Sequence, residues 1–170
     1  MTYKRISFEI KDKVAQVGLG FNCDKSMTVL DEETLKEMQD IVEEVHSKSK
    51  ELDGMVLFSH KPKCFVAGAD INLISSMKTQ ADGQAGAEAG QKIFNRIEDL
   101  KIPTVACISG VCLGGGLELS LSCKSIIVSD DKSTGLGLPE VKLGLIPGFG
   151  GTYRLPRRVG LPTALDMILS

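Results

Sequence analysis

The chain has 170 residues, enough for one domain with a core of its own. Apolar residues make up 42% and charged residues 25%, a globular balance that excludes a disordered or low-complexity chain. Net charge is −2 and no basic run exceeds Arg157-Arg158, which argues against a nucleic-acid partner, and no segment reaches the ~18 uninterrupted apolar residues of a membrane span. The opening Met-Thr-Tyr-Lys-Arg shows no signal-peptide pattern. Five cysteines (23, 64, 107, 112 and 123) form no Cys-x-x-Cys pair, so reduced thiols and a cytoplasmic location are expected.

In chain order, residues 3–10 and 13–20 alternate as two strands of a hairpin joined at Lys11-Asp12. Residues 31–48 form an amphipathic helix, with Leu35, Met38, Ile41, Val42 and Val45 at helical spacing; it ends near His46, which is expected in solvent. Residues 54–59 are a strand and His60 a surface turn. Residues 71–77 are a short helix opened by Asp70. Thr79–Gly90 is rich in Ala, Gly and Gln and reads as a mobile loop entering a helix that runs to about Leu100, with Ile93, Phe94 and Ile97 on one face. Then follow strand 103–109, helix 115–122, strand 125–129, a turn, a short strand at 134–136, and helices near 151–158 and 162–169. Alternating strands and helices indicate an α/β architecture.

Three stretches carry chemistry. In Gly110-Val-Cys-Leu-Gly-Gly-Gly-Leu-Glu118, glycines let backbone pass close to a ligand, and a helix starting there points unpaired N–H groups at it. Gly115 and Glu118 share a helix face, about 4.5 Å apart in rise. Glu118 lies in an apolar run with no other charge between Ser109 and Cys123, so it is either buried or at a cleft. In Phe65-Val-Ala67-Gly68-Ala69-Asp70-Ile71, small residues again allow close approach; the segment is either a capped strand–helix junction or a source of a second backbone N–H, from Ala69. In Leu136-Gly-Leu-Pro139-Glu140, proline precedes a second carboxylate. The following Pro147-Gly148-Phe149-Gly150-Gly151 is a tight loop; it is no dinucleotide fingerprint, because residue 153 is Tyr. No Gly-x-Ser-x-Gly elbow is present and no carboxylates cluster at metal spacing, so neither a hydrolase triad nor a metal is expected.

Together, in order and spacing, these stretches resemble the enoyl-CoA hydratase/isomerase (crotonase) superfamily. Arg154-Leu-Pro-Arg-Arg-Val-Gly and Thr163-Ala-Leu-Asp-Met-Ile-Leu-Ser look like the hydratase region of the multifunctional fatty-acid β-oxidation enzymes. The resemblance implies a spiral of repeated ββα units. It implies an oxyanion hole from the Ala69 and Gly115 N–H groups and an acid/base pair of Glu118 and Glu140. It implies substrate contacts at Ala67, whose backbone falls against the coenzyme A adenine, at Asp70 and Ile71, and at Gly148, which falls where the attacking water is held. The substrate is an acyl-CoA thioester; coenzyme A enters as part of it and no tightly bound cofactor is implied.

The pattern departs at Thr28, where members often carry Asn, at Phe149, where Ser or Ala is common, and at Tyr153, where Gln is common. Phe149 narrows the pocket and bears on acyl-chain preference. Family members continue with helices that complete the acyl pocket and a trimer contact, so the resemblance implies a chain lacking its C-terminal helical part. It implies a homo-oligomer or a subunit of a β-oxidation complex. The expected reaction is hydration of a 2-trans-enoyl-CoA. Isomerisation of a 3-enoyl-CoA in the same site is the alternative, needing one carboxylate only, and an inactive CoA-binding or assembly module is a third reading.

Overall fold

The computed structural model describes residues 3–22 and 27–170; Cys23 lies outside them. The first hairpin is β1 (Ile6–Lys11) and β2 (Val14–Leu19), antiparallel with Lys11 opposite Val14. The two residues between them, Asp12 and Lys13, both have positive φ, 49° and 61°. That geometry matches the right-handed twist of the strands it joins and shifts the turn one residue beyond the expected Lys11-Asp12.

Helix α1 (Glu32–Ser47) starts at Asp31, whose carboxylate accepts from the Thr34 N–H at 2.8 Å. Its buried face includes Met38, Ile41, Val42 and Val45, while Leu35 is only partly buried. Strand β3 (Gly54–Ser59) pairs parallel with β2, and β5 (Thr104–Ile108) and β7 (Ser125–Val128) extend the sheet in the order β1-β2-β3-β5-β7.

A second sheet holds three short parallel strands, β4 (Cys64–Val66), β6 (Val111–Leu113) and β8 (Gly135–Gly137), in that order. Each follows a strand of the first sheet. The chain is therefore a succession of ββα units: β1-β2-α1; β3-β4 with α2 (Ile71–Ser76) and α3 (Gln80–Glu98); β5-β6-α4 (Gly115–Leu121); and β7-β8 with a 3₁₀ turn at Pro139–Leu143. Helices α5 (Gly151–Val159) and α6 (Leu161–Leu169) follow and pack on each other.

Three expectations are corrected. Thr79–Gly90 is not a loop: α3 begins at Gln80. Thr79 accepts from the Asp82 N–H at 3.2 Å while the Asp82 carboxylate accepts from the Thr79 N–H at 2.9 Å, a capping box that offsets the low helix propensity of Gly83, Gly86 and Gly90. Strand 103–109 is not followed directly by helix 115–122: β6 lies between them, and the chain turns from β5 into β6 at Gly110, φ 75°. A side chain on Gly110 would come within 2.0 Å of the Lys63 backbone. His46 is half-buried and its Nε2 lies 2.7 Å from the Arg96 carbonyl oxygen, tying α1 to α3. His60 is exposed, as expected for a turn, with its Nε2 2.7 Å from Ser7 Oγ.

One buried carboxylate joins α1 to the start of the sheet. Glu37 is 8% exposed and accepts from the N–H groups of Lys4, Arg5 and Ile6 at 2.6, 2.9 and 3.0 Å. Replacing it leaves three donors unpaired. Glu37→Ala should lower the unfolding free energy in denaturant titration by about 3 kcal/mol or more, since a bond to a charged acceptor contributes about 1.5–3 kcal/mol and two of the three donors are only part-buried. A loss within experimental error would show that water replaces the carboxylate without cost.

Candidate active site

The three strands of the small sheet run parallel and adjacent, so their carboxyl ends lie side by side. Out of β4 come Ala67, Gly68 and Ala69; out of β6, Gly114 and Gly115; out of β8, Pro139 and Glu140. Three stretches distant in sequence, at 67–69, 114–115 and 139–140, therefore meet at one sheet edge, the position at which α/β folds bind ligands. Gly114 is their common point. It has φ 53°, and a Cβ there would lie 3.0 Å from Glu140 Oε1 and 3.7 Å from Gly68 Cα. A larger residue would both strain the backbone and push the two neighbouring segments apart.

The first loop is fixed by residues 28–30. Thr28 O accepts from the Ala67 N–H (2.8 Å), Gly68 O accepts from the Leu30 N–H (2.9 Å), and Leu30 O accepts from the Asp70 N–H (3.2 Å). This parallel bridge uses the Gly68 carbonyl and the Asp70 N–H on either side of Ala69 and skips the Ala69 N–H. Among the described residues nothing accepts from the Ala69 N–H. Asp70 is the cap of α2, accepting from the Asn72 N–H at 2.8 Å, and Ile71 is 61% exposed.

In α4 the Glu118 N–H donates to Gly114 O at 3.0 Å, the first turn of the helix. The Gly115 N–H lies ahead of that turn and has no acceptor among the described residues. Both N–H groups assigned by the family resemblance are thus unspent. All seven residues of α4 are buried, Glu118 among them at 2% exposure.

Glu118 is held from the far end of the chain. Its Oε1 accepts from the Phe149 N–H at 2.8 Å and the Gly151 N–H at 2.7 Å. Burial pushes its pKa up from an ordinary 4.5 to about 7; the Gly151 N–H opposes the rise, Glu140 adds to it, and the Phe149 N–H and Arg154 oppose it. Glu140 is half-buried at the start of the 3₁₀ turn, and burial raises its pKa too. Its Oε2 is buried with no hydrogen-bond partner among the described residues. Two carboxylates thus have pKa values raised by burial, one of them bonded into the framework and the other with an unused oxygen. Gly148 borders this loop, its carbonyl accepting from Gln91 Nε2 at 2.7 Å.

The sequence reading missed the donors that hold Glu118, and it missed Arg154, a buried cation at 4% exposure. The tight Pro147–Gly151 loop was visible; which carboxylate it would hold was not, because the two are joined only by tertiary packing. The buried cysteines 64, 112 and 123 have thiol pKa values raised by burial, which leaves them unreactive at neutral pH.

A profile of the enoyl-CoA hydratase/isomerase family matches residues 9–170. The fatty acid oxidation complex subunit alpha of Aliivibrio fischeri is 49% identical over 146 residues, 86% of this chain and 21% of that protein. The protein of the same name from a Shewanella species is 50% identical over 146 residues, 86% of this chain and 20% of that one. Among solved structures, enoyl-CoA hydratase from Bacillus anthracis superposes with a TM-score of 0.86 at 32% identity, covering 96% of this chain and 62% of that one. The enoyl-CoA hydratase from Thermoplasma volcanium gives 0.88 at 26% identity, covering 98% and 64%. The chain belongs to the enoyl-CoA hydratase/isomerase family and has its α/β fold. It spans about a fifth of the length of the curated relatives it matches. Among the described residues no helix is long and apolar enough to cross a membrane.

The buried Glu118 makes stability depend on pH. Its folded pKa lies above its unfolded one, so the folded state holds the proton more tightly, and this contribution is lost as pH rises from the ordinary 4.5 toward 7. Glu118→Gln keeps an acceptor for the two N–H groups and removes the titration. In denaturant unfolding across the range from about pH 5 to 8, the variant should gain stability relative to wild type as pH increases. Parallel curves would mean that Glu118 titrates as an ordinary solvated carboxylate.

Proposed function

We propose that this site hydrates 2-trans-enoyl-CoA thioesters to 3-hydroxyacyl-CoA. The observation that carries the reading is the meeting, around Gly114, of two unspent N–H groups and two carboxylates with raised pKa. The thioester oxygen lies between the Ala69 and Gly115 N–H groups. As water adds at C3, negative charge moves onto that oxygen, where a donor of this kind contributes about 3 kcal/mol. Glu118 takes the proton of the attacking water and Glu140 delivers one to C2. Proton transfer between the two carboxylates then restores the starting state. A carboxylate titrating near 7 serves as a base at neutral pH without being locked in either form.

Ala67, Asp70 and Ile71 border the substrate on the β4 side, and Gly148 lies where the water is held. The ring of Phe149 next to Gly115 limits the depth of the acyl pocket: a Cβ on Gly115 would lie 3.3 Å from that ring. The names of the relatives support a role in fatty-acid oxidation as part of a larger assembly; a cytoplasmic location belongs to the same proposal. Isomerisation of 3-enoyl-CoA in the same site is supported by the unpartnered Glu140 Oε2, which alone is able to shuttle a proton between C2 and C4.

Glu118→Gln and Glu140→Gln, assayed with 2-trans-enoyl-CoA by loss of the conjugated thioester absorbance, should each reduce turnover by about 10²–10⁴-fold, the usual contribution of a positioned acid or base. With 3-enoyl-CoA, Glu118→Gln should retain isomerisation and Glu140→Gln should not. Near wild-type hydration by either variant contradicts the two-carboxylate mechanism.

A further inference from the structure

We infer that Arg154 is a positioning residue whose guanidinium, anchored on α3, holds the 149–151 turn in the one arrangement that presents two backbone N–H groups to Glu118. The inference rests on the reading of Glu118 as the acid/base group.

Arg154 is the fourth residue of α5 and is almost fully buried. Its Nε donates to Glu98 Oε2 at 2.9 Å and its Nη2 to Asn95 Oδ1 at 2.5 Å, both on α3. Its Nη1 donates to the Phe149 carbonyl at 2.9 Å. The N–H of that same Phe149 donates to Glu118. Residue 149 is thus held on both polar sides, by Arg154 at the carbonyl and by Glu118 at the N–H. Two residues on, Gly151 supplies the second donor and opens the helix that carries Arg154.

Other contacts from α3 secure the same turn. Gln91 Nε2 bonds the Gly148 carbonyl. The Phe149 ring stands edge-on to Phe94, centroids 5.5 Å apart, over Gly90, where a Cβ would come within 2.3 Å of the ring. One face of α3, from Gly90 to Glu98, is therefore shaped to seat this turn.

The burial of Arg154 is hard to account for by stability alone. Removing a guanidinium from water costs several kcal/mol, and a buried ion pair seldom improves on an apolar replacement. Its partner Glu98 is 48% exposed and is reachable from solvent by a surface arginine. What burial supplies is a planar set of donors placed on a carbonyl adjacent to the Glu118 bonds. The charged groups that face Glu118 are Glu140, from the 3₁₀ turn, and Arg154, from α5, with Glu98 of α3 behind the guanidinium. Loss of Arg154 removes the one cation among the described residues that lowers the Glu118 pKa and frees the Phe149 carbonyl.

The test is a ¹³C-carboxyl NMR titration of Glu118, with its signal identified through Glu118→Gln, combined with amide hydrogen exchange at Phe149 and Gly151. Arg154→Gln should raise the Glu118 midpoint by about one unit, the expected effect of losing a nearby opposite charge, and speed exchange at both amides. Arg154→Lys keeps the charge without the planar donor set, so it should restore most of the midpoint but not the amide protection. Asn95→Ala leaves Arg154 in place and should speed exchange about tenfold through local opening. If hydration is measurable, Arg154→Gln should lower kcat roughly tenfold or more with KM nearly unchanged. A folded Arg154→Gln protein with wild-type titration and wild-type exchange overturns the inference; if that variant does not fold, unchanged exchange in Asn95→Ala does so. The NMR readouts need no turnover. Absence of hydration in the wild type would therefore contradict the proposed reaction while leaving the positioning measurement intact.

Discussion

The structure depends on one buried carboxylate. Glu118 sits in a helix whose other side chains are apolar or uncharged, at a depth where an unpaired charge would cost several kcal/mol. It is tolerated because two peptide N–H groups from the 149–151 turn reach its Oε1 and because its pKa rises until the neutral form is accessible. The remaining architecture brings that turn to it. Helix α4 is set by β6 and by the glycines after it, and the turn is set by α3 and α5. These elements are distant in sequence and meet only when the ββα units have wound together. The buried, N–H-bonded state of this carboxylate is therefore a product of several packed units and not of one motif.

Short parallel strands make the rest of the site. Each of the three strands in the small sheet has three residues and would contribute little by itself. Their value is geometric. Parallel neighbours align their carboxyl ends, and from those ends emerge the Ala69 N–H, the Gly115 N–H and the Glu140 carboxylate. The absence of a side chain at Gly114 lets the three exits approach each other to within van der Waals contact. The Leu30–Ala69 bridge occupies the flanking Gly68 carbonyl and Asp70 N–H and leaves the Ala69 N–H without an acceptor among the described residues.

Much of this was legible in the residues. The amphipathic pattern of α1 and the apolar strands at 54–59 and 104–108 lie where periodicity placed them, because each has one face buried in a single core. The isolation of Glu118 among leucines signalled a buried carboxylate, and Asp70 read correctly as a cap. Two kinds of feature stayed hidden. Strands β4 and β6 are too short for alternation to show, and α3 overrides its glycines through a capping box and through packing of Ile93, Phe94 and Ile97. The partners of Glu118, the burial of Arg154 and the three bonds to Glu37 are tertiary facts. No spacing in one sequence encodes which distant backbone will meet which carboxylate. The roles proposed for Ala69, Gly115, Glu118 and Glu140 rest on family resemblance, to which the geometry adds two N–H groups with no acceptor among the described residues and two carboxylates raised in pKa by burial.

The central claim is that a thioester carbonyl is received between two backbone N–H groups beside the carboxylate pair. The most direct measurement is a crystal structure of the protein with a saturated acyl-CoA, which has the thioester but no double bond to react. The thioester oxygen should lie about 3 Å from both the Ala69 and the Gly115 nitrogens, with C2 and C3 facing Glu140 and Glu118. A thioester bound elsewhere, or either N–H found bonded to a protein carbonyl in the complex, would contradict the account.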